Sequence, residues 1–155
     1  MSVIDVAPWQ EEYYEQLIPL VRKEDREELR LLGELYGYSW QQMLERSIVT
    51  SSYLEVLKVS DVCHGVVGVR EYPSEKYASI WFICSSIFRK YSKSFCIVAR
   101  DIIDKVSKVY PILINCVSEH SLPLISSFLL YCGFSIYETH IYIGNSKWYP
   151  FMYSK

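Results

Sequence analysis

The order of the hydrophobic patterns in the second half of the chain constrains the fold more than any other feature. A hydrophobic run at 78–84 has the length of a buried strand, and a polar, basic segment at 89–94 follows it. Apolar residues then recur every three or four positions over 91–109, which predicts a long amphipathic helix. A second strand pattern at 112–117 precedes a short helix that ends at Gly133. This order predicts two strands of one sheet with helices packed against it.

Short helices followed by paired strands are predicted for the first half of the chain. Residues 2–7 alternate as a strand, and helices begin at two N-cap patterns, one at Asp25 and one at Ser39. The period then changes to two over 53–59 and again over 65–71, which predicts antiparallel strands joined by a turn. Helices and strands therefore mix within one half of the chain.

The C-terminal tail, 134–153, has the pattern of an aromatic-rich hairpin that turns near Gly144. The chain has 155 residues, which is enough for one domain with a full core, so 1–155 is expected to form a single domain. The predicted fold class is α/β of the α+β kind, with a mixed central sheet of about six to seven strands flanked by about four helices.

Composition argues against several classes of function. The net charge of −2 argues against bulk binding to nucleic acid, which needs clustered Lys and Arg. The five cysteines are spread without a C-x-x-C pair, so we expect neither disulfides nor zinc but reduced thiols in a cytoplasmic protein. His64 and His140 have no partner at metal spacing, and no metal is expected. No apolar run reaches transmembrane length, so no membrane is expected either.

A local basic segment stands before the long helix and suits one anionic ligand. It contains Arg89, Lys90 and Lys93, together with the small side chains of Ser92 and Ser94. N–H groups at the start of a helix, backed by the helix dipole, favour phosphate. The alternative is a solvated basic turn that only begins a helix, where Ser and Lys are ordinary residues.

The whole series of elements resembles the GNAT-type N-acetyltransferases, and the resemblance implies a GNAT-like fold. In that family a Q/R-x-x-G-x-G/A loop holds the pyrophosphate of acetyl-CoA, and residues 89–94 offer R-x-x-S-x-S at the matching place. The resemblance therefore implies acetyl-CoA as a cofactor, although Ser replaces both glycines and its Cβ obstructs a close backbone contact. It also implies that main-chain N–H groups near Ile83 and Cys84 polarise the thioester carbonyl.

The residues that would catalyse acetyl transfer are incomplete by the same comparison. The family pattern N-x-x-A-x-x-x-Y-x-x-x-G-F places its acidic Tyr at Leu129, which cannot donate a proton, and Tyr131 points to another side of the helix. Glu71, at the end of a predicted strand, is the first candidate for the general base, and Glu119, beyond a later strand with His120 beside it, is the second. The alternative for each is a charged residue at a strand end that faces water.

Within the GNAT superfamily, the chain resembles a divergent branch, the acetyltransferase-like proteins of T7-like podophages. That likeness implies an internal virion or assembly protein, with phage structural or assembly proteins as partners and a virion-associated location in the host cell. Tail aromatics such as Trp148 and Phe151 would line an interface or cover the sheet. The resulting hypothesis is a GNAT-fold assembly protein with a degenerate catalytic site. The alternative is an acetyl-CoA-dependent N-acetyltransferase that acts on an amine.

Overall fold

The segments with a period of two form strands, and those with a period near 3.6 form helices. The computed structural model describes residues 3–155. Its strands are β1 (Ile4–Pro8), β2 (Tyr53–Val59), β3 (Val62–Glu71), β4 (Tyr77–Cys84), β5 (Ile112–Ser118), β6 (Ser135–Ile136), β7 (Ile141–Ile143) and β8 (Ser146–Ser154). Its α-helices are α1 (Glu12–Leu17), α2 (Lys23–Glu34), α3 (Trp40–Thr50), α4 (Ser92–Ser107) and α5 (Leu122–Tyr131). Residue 2 of the first predicted strand lies outside the described residues.

Hydrogen bonding orders the strands β1-β2-β3-β4-β5-β8-β6, and β7 also pairs with β8. The pairing of β4 with β5 is parallel, whereas β1–β2, β2–β3, β5–β8, β6–β8 and β7–β8 are antiparallel. The predicted α+β class with a mixed sheet is confirmed. Within residues 3–155 there are eight strands and five α-helices, rather than about six to seven and about four, because the tail contributes three strands and α1 is a helix of its own.

Contacts divide the chain into two compact units that alternate along the sequence. The first contains the chain up to Arg70 and the segment Trp81–Phe95, and the second contains Glu71–Ile80 and Cys96–Lys155. Strand β4 and helix α4 are each shared, since their first and second parts belong to different units.

The first unit is an antiparallel arrangement of β1, β2 and β3 with α1, α2 and α3. A tight turn joins β2 to β3 through Ser60 and Asp61, whose φ angles of 50° and 64° fit the left-handed turn that hairpins prefer. The capping box predicted at Ser39 is confirmed, since its hydroxyl accepts the Gln42 N–H and the Gln42 side chain accepts the Ser39 N–H. The core of this unit is a cluster of buried side chains: Leu17, Val21, Leu29, Met43, Leu44, Ile48, Val56, Cys63, Val66 and Ile83.

The predicted N-cap at Asp25 is wrong. Helix α2 begins at Lys23 with Arg22 as its N-cap, so Asp25 stands in the third helical position. It is buried, and its carboxylate accepts the backbone N–H of Cys84 at 2.9 Å. A partner 59 positions away in sequence thus holds this carboxylate inside the unit. The local capping rule, in contrast, predicted it at the exposed start of a helix.

The second unit contains the start of β4, strands β5 to β8, most of α4, and α5. Ser121 is the N-cap residue of α5, as predicted, but its hydroxyl makes no capping hydrogen bond. The stop at Gly133, with a φ of 94°, lies where the sequence predicts it. The predicted tail hairpin is confirmed at β7 and β8, but its first arm is broken into β6 and β7. Trp148 and Phe151 are 2% and 7% exposed, so these aromatic side chains fill the core of the unit.

Candidate functional site

The first turn of α4 is the place where the sequence predicts an anion-binding site. A 3₁₀ turn, Ser86–Arg89, leads into the helix, which begins at Ser92. Ser92 and Lys93 are exposed and Ser94 is half-buried. The first N–H groups of a helix have no acceptor within it, and the dipole adds partial positive charge there. The turn therefore presents donors and a lysine toward solvent.

Aromatic packing holds this turn in place. The rings of Phe88 and Phe95 stack with centroids 4.7 Å apart, and Phe82 meets Phe95 edge-on at 6.4 Å. Phe88 is buried, so the 3₁₀ turn is anchored from below. The hydroxyl of Ser85 accepts the N–H of Ile87 at 3.2 Å and closes the start of the same turn. A pre-shaped turn binds an anion without a further ordering cost.

The basic side chains beside the turn have different partners. Arg89 donates to Glu24 Oε1 at 2.6 Å, so part of its charge is already compensated by α2. The ammonium of Lys90 lies 5.4 Å from the centroid of the Tyr91 ring. Lys90 and Lys93 are both exposed. Of the three predicted cations, the two lysines are thus the more available to an anion.

The backbone of Cys84 is already hydrogen-bonded. Its N–H donates to Asp25 Oδ2 at 2.9 Å, and its carbonyl accepts the N–H of Arg22 at 2.9 Å. The N–H that the resemblance assigns to a thioester carbonyl therefore has an acceptor within the chain. The sequence pattern did not predict this contact, although it contains one signal for it. Asp25 stands four residues before the buried Leu29, on the buried face of α2.

Asp25 is the most electrostatically perturbed carboxylate of the first unit. Burial raises its pKa to about 6, against the opposing effects of the Arg22 guanidinium and the Cys84 N–H. Arg22 Nε lies 2.9 Å from Asp25 Oδ2, an ion pair whose N–H is not aligned as a hydrogen bond. The pKa of Arg22 is raised despite its own burial, chiefly because Asp25 is beside it. A buried carboxylate and a partly exposed guanidinium therefore connect the start of α2 to the end of β4.

His64 and Ser85 form a second polar contact at the end of β4. Nδ1 of His64 lies 2.8 Å from Ser85 Oγ, and the N–H of Ser85 donates to the His64 carbonyl at 2.7 Å. Burial lowers the pKa of His64, which favours the neutral ring. The side chain of Ser85 thus holds β3 and the 3₁₀ turn together.

The predicted site residues are distributed over both units. The first unit contains every predicted cofactor-binding residue: Ile83, Cys84, Arg89, Lys90, Ser92, Lys93 and Ser94. The second contains the two candidate bases. Glu71 ends β3 and its Oε2 accepts the Tyr110 hydroxyl at 2.6 Å. Glu119 is exposed in the turn after β5, and its N–H donates to the Lys147 carbonyl at 2.9 Å.

An asparagine stands where the β4–β5 ladder stops in the second unit. The parallel register pairs Tyr77 with Ile112 and continues through two further pairs. The side chain of Asn115 then donates to the Ile80 carbonyl at 2.6 Å, while its own oxygen accepts the Cys116 N–H at 2.8 Å. A side-chain amide thus occupies the place of a backbone rung.

The structure confirms that Leu129 and Tyr131 face different sides of α5. Leu129 is buried at 4% exposure, whereas Tyr131 is 44% exposed and its ring lies 5.4 Å from the Arg100 guanidinium. The position that the GNAT pattern gives to a tyrosine is therefore part of the core of the second unit. Tyr131 is held by a cation–π contact on the outer side of the helix.

The thiols are not activated. Burial raises the pKa of Cys63 to about 11 and that of Cys132 to about 12, and it also raises the pKa of Cys84, Cys96 and Cys116. A nucleophilic thiol needs a lowered pKa. Within residues 3–155 we find no cluster of three His, Cys, Asp or Glu residues arranged to hold a metal ion. In the same residues, no helix combines the length and apolarity that a bilayer crossing requires.

Solved structures similar to this one cover almost the entire chain. The protein smu.2055 from Streptococcus mutans matches with a TM-score of 0.69 and 17% identity over 97% of this chain and 98% of its own. A GCN5-related N-acetyltransferase from Kribbella flavida matches with a TM-score of 0.66 and 14% identity, covering 99% and 98%. A Bacillus subtilis acetyltransferase solved in complex with CoA matches with a TM-score of 0.63 and 12% identity, covering 98% and 97%.

Sequence comparison adds no relative to these structures. No protein-family model matches the sequence, and no curated protein is significantly similar to it. None of the three structures named above supports a phage branch. At these identities the likeness concerns the backbone, and this chain has the fold of the GNAT N-acetyltransferases.

Proposed function

We propose that this protein is an acetyl-CoA-dependent N-acetyltransferase that binds the cofactor pyrophosphate at the first turn of α4. The first turn of α4 is the single observation that carries the proposal. There, Ser92, Lys93 and Ser94 combine N–H donors, small hydroxyls and a positive charge. The fold adds support, because one structural match is an acetyltransferase with CoA bound.

The residues of this turn fit a diphosphate. Two phosphates need several donors with positive charge nearby, and the helix start supplies the donors while Lys90 and Lys93 supply the charge. A serine Cβ limits how closely a phosphate approaches the backbone, but the serine hydroxyl is itself a donor. Ser92 and Ser94 thus exchange close backbone contact for side-chain hydrogen bonds.

Acetyl-CoA, when bound, supplies the acetyl group as a thioester. The chain must then take a proton from the acceptor amine, and Glu71 and Glu119 are the candidates for this step. A thiolate leaves readily at neutral pH, so the reaction proceeds without a tyrosine acid at Leu129. Leu129 is buried, so the proposed acetyl transfer relies on the general base and not on an acid at this position.

Isothermal titration with acetyl-CoA tests the cofactor site, and desulfo-CoA serves as a second ligand. We expect micromolar binding of both to the wild-type protein. Ser92→Glu should weaken both by about tenfold or more, since it places a carboxylate against the phosphates. Glutamate is favourable at the first position of a helix, so the variant should remain folded. Lack of any detectable binding by the wild-type protein would refute the proposed function.

A charge-reversal pair on α4 and just beyond it gives a matched control. Lys93→Glu changes the first turn, whereas Lys108→Glu makes the same change in an exposed residue after the helix has ended. We expect only the first substitution to weaken binding. Equal losses in both variants would mean that overall charge, rather than this turn, determines affinity.

A role in virion assembly stays a prediction. It derives from the resemblance to podophage proteins, and no observation in the structure favours it. The aromatic side chains of Trp148 and Phe151 are buried, so their substitution would disturb the core before it disturbed any partner contact. Exposed tail residues such as Tyr142 are the better positions for a test of association.

A further inference from the structure

The backbone N–H and C=O groups of Cys84, at the end of β4, are hydrogen-bonded by residues at the start of α2. The Arg22 N–H donates to the Cys84 carbonyl, and the Cys84 N–H donates to the Asp25 carboxylate. An isolated antiparallel bridge between Val21 and Ser85 continues the same contact. A backbone N–H from one residue and a side-chain oxygen from another thus pair with Cys84 as a neighbouring strand would.

The alternation of a strand explains why Cys84 needs this partner. The N–H of Ser85 points to β3, where it donates to the His64 carbonyl at 2.7 Å. Successive residues direct their N–H and C=O groups to opposite edges, so those of Cys84 point away from β3. Cys84 is 1% exposed, and an unpaired buried N–H there would be costly. Asp25 supplies the acceptor.

The position of Cys84 determines where the first turn of α4 lies, because the next residues connect the two. Ser85 follows it directly, and its hydroxyl accepts the Ile87 N–H at the start of the 3₁₀ turn. That turn carries Phe88, which stacks on Phe95 in the first turns of α4. A displaced Cys84 would therefore displace the start of α4.

We propose that Asp25 is a positioning residue for the phosphate-binding first turn of α4, acting through Cys84 and Ser85. This inference rests on the function proposed above. Asp25 is buried, so its role would be exercised without contact to the cofactor. It holds the end of β4 at the place from which the 3₁₀ turn and α4 begin.

The charges around Asp25 make this positioning depend on pH. At the start of α2, the Arg22 guanidinium lies beside the Asp25 carboxylate, and Glu28 on the same helix raises the pKa of Asp25 further. Glu24 acts on Arg22. From β4, the Cys84 N–H donates to the carboxylate. An ionised carboxylate accepts an N–H more strongly than its protonated form does. The pKa of about 6 places this change between neutral and mildly acidic solution.

The test measures the affinity for 3′-dephospho-CoA, whose diphosphate does not titrate between about pH 5 and about pH 7.5. At the higher pH, Asp25→Asn should bind roughly fivefold more weakly than the wild type, since it replaces a charged acceptor by a neutral one. The wild-type affinity should fall toward that of the variant at the lower pH, while the variant keeps only the smaller pH dependence that His64, beside Ser85, contributes. Glu34→Gln, which removes a charge at the exposed end of α2, should match the wild type at both.

A thermal melt of the same samples separates positioning from a general structural role. Asp25→Asn should melt at or above the wild-type temperature near pH 7.5, because the buried carboxylate is the disfavoured form in the fold. Weaker binding that tracks a lower melting temperature would overturn the proposal, and so would equal affinity and pH dependence in both proteins. If the wild type fails to bind, the proposed function fails and this inference falls with it. Binding by the wild type with no effect of Asp25→Asn overturns the inference alone.

Discussion

The side-chain amide of Asn115 donates to the backbone carbonyl of Ile80, 2.6 Å away, where the parallel pairing of β4 and β5 would otherwise continue. The same side chain accepts the Cys116 N–H. One amide thus satisfies one backbone group on each strand, and it spaces the strands by the length of a side chain. Asn115, within β5, therefore keeps β4 and β5 apart at this point.

Replacement of Asn115 by leucine should destabilise the protein by about 1–3 kcal/mol. Leucine branches at Cγ as asparagine does, but it leaves the Ile80 carbonyl and the Cys116 N–H without their partner. Urea unfolding followed by circular dichroism measures the change. Asn145→Leu, in the exposed turn between β7 and β8, is the control and should change stability by less than about 0.5 kcal/mol. A stable Asn115→Leu would mean that the strands close and pair directly.

Gly68→Ala should be strongly destabilising because the indole of Trp81 lies against the glycine. A Cβ at position 68 would stand 2.3 Å from the ring, well inside contact distance. The ring would have to move and lose the hydrogen bond from its Nε1 to Ser51 Oγ. We expect a loss of about 1–3 kcal/mol and a change in tryptophan emission. The smaller ring of Trp81→Phe should reduce the additional cost of Gly68→Ala in a double-mutant cycle, and strictly additive losses would contradict the contact.

The free energy of unfolding should show the titration of Asp25. Its pKa is raised from 3.8 to about 6 in the folded protein, so the folded state holds this proton more tightly than the unfolded state. The contribution is therefore fully present below about pH 4 and is lost as the pH rises through about 6, by up to about 3 kcal/mol. Urea unfolding of the wild type and of Asp25→Asn over this range measures the difference. A difference that does not change with pH would contradict a raised pKa.

Leu129→Tyr should not restore a catalytic acid. Leu129 is 4% exposed within the second unit, so a tyrosine there would be overpacked and its hydroxyl buried. We expect a destabilisation of about 1–3 kcal/mol and no gain in acetyl transfer, measured by release of free CoA thiol with a panel of amines. A higher kcat in this variant would show that position 129 reaches the reacting groups after all.

The proposed function requires that neutralising the general base lowers kcat far more than it changes KM. Glu71→Gln and Glu119→Gln remove the two candidate carboxylates, and loss of a general base costs about a hundredfold to ten-thousandfold in rate. The affinity for acetyl-CoA, measured by titration, should not change in either variant. The carboxylate whose removal abolishes transfer is the base. Retention of full activity in both would exclude both residues.

Local rules predicted the features whose partners are close in sequence. The capping box at Ser39 depends on Gln42, and the stop of α5 depends on the backbone freedom of Gly133, so both can be predicted from a few residues. The stripe of α4 was likewise visible, although the helix begins at Ser92 and ends at Ser107 rather than spanning 91–109. Helix ends are set by competing caps and frayed turns, which a pattern does not resolve.

Contacts between distant residues were not predicted, and they determine the candidate site. Asp25 looks like a cap because the rule considers only the next few positions, whereas its partner is Cys84. From the sequence, Arg89 is predicted to be a cation available to an anion, whereas in the fold Glu24 lies 2.6 Å from it. Asn115 has no distinguishing neighbours in sequence, and its role arises only when β4 is beside it.

The division of β4 and α4 between two compact units has a consequence for synthesis on the ribosome. Residues up to Arg70 emerge first, yet their unit also needs Trp81–Phe95, which includes the core residue Ile83 and the Cys84 rung. A nascent chain that stops at residue 70 therefore lacks part of its own core. The N-terminal unit can close only after residue 95 has emerged from the ribosome, and by then Glu71–Ile80 have emerged as well, while β5 follows later. Folding must proceed while a strand of the second unit awaits its partner, and a chain truncated between the two segments should be a target for proteolysis.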